Sequence, residues 1–200
     1  MLPAGDYDSR GLRLWNDYGS SERQGSGGCA REVLLVIECA YNILFLCTGN
    51  SARSIIAEAL VNHDCAGRFR AYSAGSHPGG QVNPLVIDFL SAQGIVTEGA
   101  RSKSWDEFAK PGAPPMDFVI TVCDNAAEEV CPAWPGHPAT AHWGVEDPAV
   151  HMQRPEAAKR VIQAVFDTLR RRVSKLANLP IEALDKTALQ QRLREIGREA

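Results

Sequence analysis

Short apolar runs alternate with amphipathic segments along most of this 200-residue chain. The runs at residues 43–46 and 118–122 have the length and the apolar content of buried strands, residues 69–74 alternate as a second strand would, and a fourth strand is predicted over 139–143. Near-continuous apolar runs of this kind are typical of parallel strands that are covered on both faces of their sheet.

Helical spacing of apolar residues predicts helices between and after these strands, over 54–63, 84–93, 154–176 and 186–196. Strands that alternate with helices predict an α/β fold with a parallel sheet and right-handed crossovers. In such folds ligands bind at the carboxyl ends of the strands. The loops that follow the first and the third strand are therefore the predicted site, and each of them begins with a cysteine.

Composition and charge narrow the range of functions. A net charge of −3 provides no basic field that would attract nucleic acid or anionic lipid. The longest apolar run, 33–47, is shorter than the roughly 20 residues of a membrane-spanning helix and contains Glu38 and Asn42. The acidic N-terminus lacks the features of a signal peptide. We therefore expect a cytosolic protein that binds neither nucleic acid nor membranes.

The chain divides into three predicted parts. Residues 1–40 form an N-terminal extension, which we predict to be disordered because its first 28 residues are rich in Gly, Ser, Asp and Arg and have no apolar period. Residues 41–176 form the folded domain, and residues 177–200 form a C-terminal helical extension. The six cysteines are too few for a disulfide scaffold of this length, which favours buried, catalytic or metal-binding roles.

Residues 47–54, Cys-Thr-Gly-Asn-Ser-Ala-Arg-Ser, join the first predicted strand to the first predicted helix. A loop at a helix N-terminus points backbone N–H groups inward and adds the positive end of the helix dipole, which suits a tetrahedral oxyanion. Arg53 adds a planar fork for two of the oxyanion's oxygens. The same field predicts a lowered pKa for Cys47, whose thiolate would be the nucleophile. The alternative is a buried cysteine that ends an apolar strand.

The predicted oxyanion-binding residues are those of this loop: Thr48, Gly49, Asn50, Ser51, Ala52, Arg53 and Ser54. We expect Asn50 to adopt a left-handed conformation and to hydrogen-bond across the loop, as asparagine tolerates. We expect Ser54 to hydrogen-bond the sulfur of Cys47, although an ordinary helix cap is the alternative.

Residues 43–58 resemble the phosphate loop of low-molecular-weight protein tyrosine phosphatases and of the arsenate reductases that share their fold. The resemblance extends from about residue 41 to residue 176. It implies a three-layer α/β/α fold with a four-stranded parallel sheet.

Two further features separate the reductases from the phosphatases. The first is the pair Cys123 and Cys131, eight positions apart directly after the third strand. A phosphatase needs one cysteine, whereas reducing As(V) to As(III) takes two electrons, which thiols supply by forming a disulfide. A structural and an incidental cysteine are one alternative. A zinc site with His137 and His142 is another, but Cys-x7-Cys differs from the usual ligand spacing.

The second feature is residues 142–149, His-Trp-Gly-Val-Glu-Asp-Pro-Ala, which resemble the acid loop of the arsenate reductases. Phosphatases of this fold usually carry an aromatic residue after Asp-Pro, where this chain has Ala149. Asp147 matches the general acid of both families. Its alternative role is a turn residue, and Glu146 is a less favoured candidate for the acid.

The resemblance implies arsenate detoxification. Cys47 attacks arsenate held by Arg53 and the loop amides, while Asp147 protonates the departing oxygen. Cys123 then attacks Cys47 and releases arsenite, and Cys131 attacks Cys123. On a helix the latter two residues would lie about 12 Å apart, so the segment between them must change shape. Thioredoxin, or glutathione with glutaredoxin, is the implied external reductant; no bound cofactor is expected, and we expect a monomer.

Some members of this family bind K⁺ beside the loop through Asn, Glu, Ser and Asp side chains. Asn50, Glu58 and Ser73 match the first three, but Lys103 stands where the aspartate is expected. We predict that no metal binds and that the Lys103 ammonium takes the cation's place near Asn50 and Glu58. The alternative is a solvated surface lysine.

Two other functions remain as alternatives. One is a low-molecular-weight protein tyrosine phosphatase, which would use the same loop. The other is a non-catalytic module that senses oxyanions or arsenite, against which Cys47, Arg53 and Asp147 together argue.

Overall fold

The computed structural model describes residues 41–128, 132–134, 136–151 and 153–199. The predicted N-terminal extension and Cys131 lie outside the described residues.

As predicted, the sheet that the described residues form has four parallel strands; their order is β2-β1-β3-β4. The strands are β1 Tyr41–Cys47, β2 Phe69–Gly75, β3 Phe118–Thr121 and β4 Ala139–His142. β1 lies between two neighbours, and its residues 43–47 are buried. Because both faces of this strand are covered, its sequence is a continuous apolar run without polar alternation.

Within the described residues, six α-helices surround the sheet: α1 Arg53–Asp64, α2 Pro84–Ala92, α3 Asp106–Ala109, α4 Asp124–Glu128, α5 Pro155–Ala177 and α6 Lys186–Arg198. Single 3₁₀ turns occur at Pro148–His151 and Ile181–Ala183. The four longer helices agree with the predicted ones to within about two residues at each end. The apolar period gave no signal for the four-residue helix α3, which is too short to display one.

The helices form layers on both faces of the sheet. Alternate residues of β1 belong to two different apolar clusters: Ile43 and Phe45 pack with α1, α2 and α5, whereas Leu44 and Leu46 pack with Phe108 of α3. This arrangement is the three-layer α/β/α fold that the sequence predicted.

The C-terminal helix α6 packs against the edge strand β4. Leu193 and Ile196 are buried within the larger apolar cluster, and the indole N–H of Trp143 donates to the backbone carbonyl of Leu193 at 2.9 Å. Asp185 caps the helix by accepting a hydrogen bond from the Ala188 amide. Among the described helices, none combines the length and the apolar content that crossing a bilayer requires.

Candidate active site

The loop between β1 and α1 lies at the carboxyl end of a central strand. β1 ends at Cys47 and α1 begins at Arg53, so the sheet fixes one end of the loop and the helix fixes the other. Sequence order alone places the N-terminus of α1 beside the cysteine, which is the arrangement that favours an anion.

The carbonyl groups of this loop are held by the neighbouring segment 76–83. Four of them accept backbone amide protons: Ser76 N to Cys47 O (3.3 Å), His77 N to Thr48 O (3.0 Å), Gly79 N to Gly49 O (3.1 Å) and Asn83 N to Ser51 O (2.9 Å). In a trans peptide the N–H points opposite to the C=O. Carbonyls turned toward the segment 76–83 therefore direct the loop's amides toward its interior, where an oxyanion would bind.

Gly75, at the end of β2, allows this close packing. A Cβ atom at Gly75 would lie 2.5 Å from the Thr48 carbonyl oxygen and 3.1 Å from the Asn50 nitrogen. Only a residue without a side chain fits against the loop here, so the loop's shape depends on the glycine that ends the second strand.

Cys47 is buried at the base of the loop. Its sulfur lies 2.9 Å from the hydroxyl of Ser54 and accepts the amide proton of Asn50 at 3.1 Å. Burial raises the pKa of the Cys47 thiol, and the hydrogen bonds from Ser54 and Asn50 lower it by less. The sequence-based expectation of a lowered pKa was wrong in direction, because it counted the loop's field but not the burial of the sulfur in the apolar core.

Asn50 organises the interior of the loop. As predicted, it adopts a left-handed conformation, with φ of 44°, and it is fully buried. Its side-chain amide donates to the hydroxyls of Ser54 and Ser73, each at 2.9 Å. Because both hydroxyls accept from Asn50, their own protons are available to the Cys47 sulfur and to Glu58, respectively.

Lys103 lies in the position predicted for a cation, with only 7% of its surface exposed, which excludes a solvated surface lysine. Its ammonium is 3.5 Å from a carboxylate oxygen of Glu58, and the Ser73 hydroxyl donates to the same oxygen at 2.5 Å. Its contact with Asn50 is made by the backbone N–H, at 2.8 Å, and not by the ammonium. Burial lowers the pKa of Lys103, and the nearby Glu58 carboxylate raises it by less.

The two candidate acids are both in the loop after β4, but only one of them contacts the arginine. Arg53 donates to Asp147 Oδ2 at 2.7 Å and to the Val145 carbonyl at 3.4 Å. Asp147 Oδ1 accepts the amide proton of Ala149, which orients the carboxylate. Glu146 pairs instead with His151, at 2.9 Å. The geometry therefore favours Asp147 as the acid that works with Arg53.

Cys123 lies next to the loop after β1. Its buried sulfur is 3.6 Å from the Thr48 hydroxyl oxygen. The parallel register pairs Leu46 with Thr121, and the Val122 amide extends this pairing by donating to Leu46 O. Cys65, by contrast, follows the far end of α1, about 18 Å along the helix axis from Arg53.

Two features of the site were missed in the sequence. His142, which the zinc alternative would use, bonds the Thr121 hydroxyl at 2.8 Å and Asp124 at 3.0 Å, and so connects β3, β4 and the start of α4. The second feature is Arg172, a buried residue of α5 that reaches the acid loop. Its position three residues after the buried Leu169 was the available signal, because that spacing puts it on the helix's inner face.

Comparisons with known proteins identify the family to which this chain belongs. The family model for low molecular weight phosphotyrosine protein phosphatase matches residues 42–191. The arsenate reductases of Shouchella clausii (strain KSM-K16) and Bacillus subtilis (strain 168) are 36% and 34% identical to the chain over 135 residues. Each alignment covers 68% of this chain and 94% of the relative.

Solved structures show the same fold. An arsenate reductase from Archaeoglobus fulgidus DSM 4304 is 28% identical, with a TM-score of 0.51, over 66% of this chain and 98% of that chain. An arsenate reductase in the phosphate binding state is 27% identical, with a TM-score of 0.54, over 68% and 98% of the respective chains. The chain belongs to the low-molecular-weight protein tyrosine phosphatase family and is similar, within it, to arsenate reductases.

Proposed function

We propose that this protein is an arsenate reductase that works through Cys47, Cys123 and Cys131. The observation that carries the proposal is the second buried sulfur at the oxyanion loop, that of Cys123, 3.6 Å from the Thr48 hydroxyl. The similarity to arsenate reductases over nearly the whole length of those relatives supports it.

The first step forms a bond between sulfur and arsenic. Arg53 turns its fork from Asp147 to the arsenate oxygens, and the inward-facing loop amides bind the others. The thiolate of Cys47 attacks arsenic, and Asp147 donates a proton to the oxygen that leaves as water. Arsenic is still As(V) at this stage, bound to Cys47 as a thiol ester.

The second step transfers two electrons. The thiolate of Cys123 attacks the sulfur of Cys47, and the electron pair of the S–As bond goes to arsenic, which leaves as arsenite, As(III). A Cys47–Cys123 disulfide results. Cys131 then attacks the sulfur of Cys123, which frees Cys47 as a thiolate and leaves a Cys123–Cys131 disulfide. A dithiol reductant such as thioredoxin, or glutathione with glutaredoxin, reduces that disulfide.

A phosphatase is the less favoured function. It would use the same loop, Arg53 and Asp147, but it has no use for a second sulfur beside the loop. The residue after Asp-Pro is Ala149, where the phosphatases that this chain resembles carry an aromatic side chain. Weak hydrolysis of aryl phosphates is compatible with a reductase, so only relative efficiencies separate the two functions.

We also propose that Lys103 replaces a potassium ion beneath the loop. Its ammonium approaches the carboxylate of Glu58, which is linked through the Ser73 hydroxyl to Asn50 and so to the conformation of the loop. A fixed positive charge at this point would keep Glu58 paired without a bound metal.

The test is a mass map of disulfides after reduced protein is exposed to arsenate without reductant. The proposal expects a Cys123–Cys131 disulfide in the intact protein and a Cys47–Cys123 disulfide in Cys131→Ser, with one arsenite released per chain. Cys65→Ser is the matched control and should give the same map as the unaltered protein. If no arsenite is released, neither disulfide forms and an aryl phosphate is hydrolysed efficiently, the protein is a phosphatase instead.

A further inference from the structure

Arg172 of α5 is a buried cation that contacts both the acid loop and the C-terminal helix. It is 7% exposed. Its Nη1 donates to the Gly144 carbonyl at 3.1 Å, and its Nη2 donates to the carbonyls of Gly197 (2.9 Å) and Glu199 (3.3 Å). The remaining Nε is buried and has no hydrogen-bond partner among the described residues. A buried guanidinium that bonds only carbonyl groups fixes the positions of the backbone segments it joins.

The end of α6 is packed against the start of the acid loop without spare room. A Cβ atom at Gly197 would overlap the carbonyl oxygen of His142 and lie 2.6 Å from the Trp143 ring. The Trp143 indole also donates to Leu193 O. The C-terminal helix therefore supports the loop directly, and Arg172 ties the two together.

Two arginines hold the segment 144–147 from different sides. Arg53 contacts Val145 O and Asp147 from the active site, and Arg172 contacts Gly144 O from the α5 side. An oxyanion in the phosphate loop requires the guanidinium of Arg53, so Arg53 must give up its hold on the loop when substrate binds. Arg172 contacts the carbonyls of Gly144, Gly197 and Glu199 and no residue of the oxyanion loop, so an oxyanion does not compete for its guanidinium.

We propose that Arg172 is a positioning residue that, together with α6, keeps Asp147 in place for proton donation once the oxyanion has taken Arg53. The proposal rests on the proposed role of Asp147 as general acid. It assigns a catalytic consequence to α6, which the sequence predicted as part of a C-terminal helical extension, and it predicts that the loss of Arg172 affects the chemical step more than substrate binding.

The first test needs no substrate, because Arg53→Met imitates the withdrawal of Arg53. Exchange of the Val145 and Ala149 amides, which bond Val122 O and Asp147 Oδ1, reports opening of the loop. We expect Arg53→Met and Arg172→Met to speed exchange about twofold each, and the double variant to speed it about tenfold or more, beyond the product of the single effects. Arg171→Met, at an exposed neighbour bonded to Thr168, is the matched control.

The second test is kinetic. Arg172→Met should lower kcat for arsenate about 10- to 100-fold and change KM less than about threefold, since misplacing a catalytic group by about 1 Å has effects of this size. With aryl phosphates, the loss should be larger for poorer leaving groups, which depend more on the acid. Arg172→Lys keeps the charge but not the planar fork, so its kcat should lie between those of the unaltered protein and Arg172→Met. If Arg172→Met does not fold, Arg172→Lys provides the test.

The outcomes separate the two proposals. The role of Arg172 is overturned if the Val145 and Ala149 amides exchange in the double variant no faster than the product of the two single effects. This outcome does not depend on which reaction the protein catalyses. If the exchange effects are coupled but Asp147→Asn is fully active, Arg172 supports the loop but Asp147 is not the acid. That result would refute the catalytic consequence proposed for Arg172.

Discussion

The hydroxyl oxygen of Thr48 lies 3.6 Å from the sulfur of Cys123 and joins the loop after β1 to the end of β3. This contact follows from the parallel register, in which Leu46 of β1 pairs with Thr121 of β3. The two strands therefore end at the same level of the sheet. Cys47 and Cys123, which are distant in sequence, therefore begin two neighbouring loops. Cys123 directly precedes the short helix α4.

Replacing each sulfur of the proposed relay should stop it at a different stage. Cys123→Ser should leave arsenic bound to Cys47 and release no arsenite, because no thiolate at position 123 is left to attack the sulfur of Cys47. Cys131→Ser should release one equivalent and then stop, with turnover in the presence of thioredoxin at least about 100-fold lower. Arsenite release and intact mass measured together distinguish these states.

Cys65→Ser serves as the control because Cys65 lies beyond the far end of α1. Multiple turnover by Cys131→Ser at the unaltered rate would rule out the relay and leave a direct exchange between Cys47 and the external reductant.

The Ser54 hydroxyl should determine how easily Cys47 ionises. Burial raises the pKa of this thiol, and the hydrogen bond from Ser54 is the largest influence opposing it. Ser54→Ala removes that bond, so the pKa of Cys47 should rise further and its alkylation by iodoacetamide at neutral pH should slow. The measurement is the pH dependence of the alkylation rate, whose midpoint should move to higher pH, with Ser91→Ala at an exposed position of α2 as control. An unchanged midpoint would mean that Ser54 is only a structural cap.

The sequence predicted the parts of the site that depend on local chemistry. The phosphate loop, the left-handed Asn50 and the acid loop are short segments whose residue types specify their conformation. Arg172 differs, because its spacing after Leu169 indicates only that it lies on the inner face of α5, whereas its partners Gly144 O and Gly197 O are brought to it by tertiary packing. The pKa of Cys47 was misjudged for the same reason: desolvation depends on the core that α1 and the sheet build together.

Gly75→Ala should disturb the oxyanion loop without unfolding the sheet. The new methyl group would lie 2.5 Å from Thr48 O, so either the loop or the end of β2 must shift. We expect at least about a tenfold loss of oxyanion affinity and a destabilisation of about 1–3 kcal/mol. Gly79→Ala is the matched control, since nothing lies within 4 Å of a Cβ there. Sulfate titration and thermal unfolding measure the two effects, and equal behaviour of both variants would contradict the packing argument.

Removing the Lys103 ammonium should make the protein responsive to potassium. Lys103→Met leaves the Glu58 carboxylate, which lies 3.5 Å from the ammonium, without its cation. We expect activity to fall about tenfold and to recover partly in potassium chloride but not in choline chloride, because a small cation can replace the ammonium beside the half-buried Glu58 carboxylate and a bulky one cannot. Lys110→Met, on an exposed loop, should change neither property. Strong activation of the unaltered protein by potassium would show that the ammonium does not replace the ion.

Asp147→Asn should slow the reaction and tighten the binding of oxyanions. Asp147 Oδ2 lies 2.7 Å from the guanidinium of Arg53, so an incoming oxyanion competes with a carboxylate for the same guanidinium. An amide of the same shape carries no charge and competes less, and we expect sulfate to bind a few-fold more tightly. The amide also cannot donate the proton that Asp147 supplies, so the rate of arsenate reduction should fall about 10²- to 10⁴-fold.

Glu146→Gln is the control, because the partner of Glu146 is His151 rather than Arg53, and it should alter neither the sulfate affinity nor the rate. Calorimetric titration with sulfate and single-turnover kinetics measure the two effects separately. A variant with weaker sulfate binding would show that Asp147 helps Arg53 to reach the oxyanion instead of competing with it.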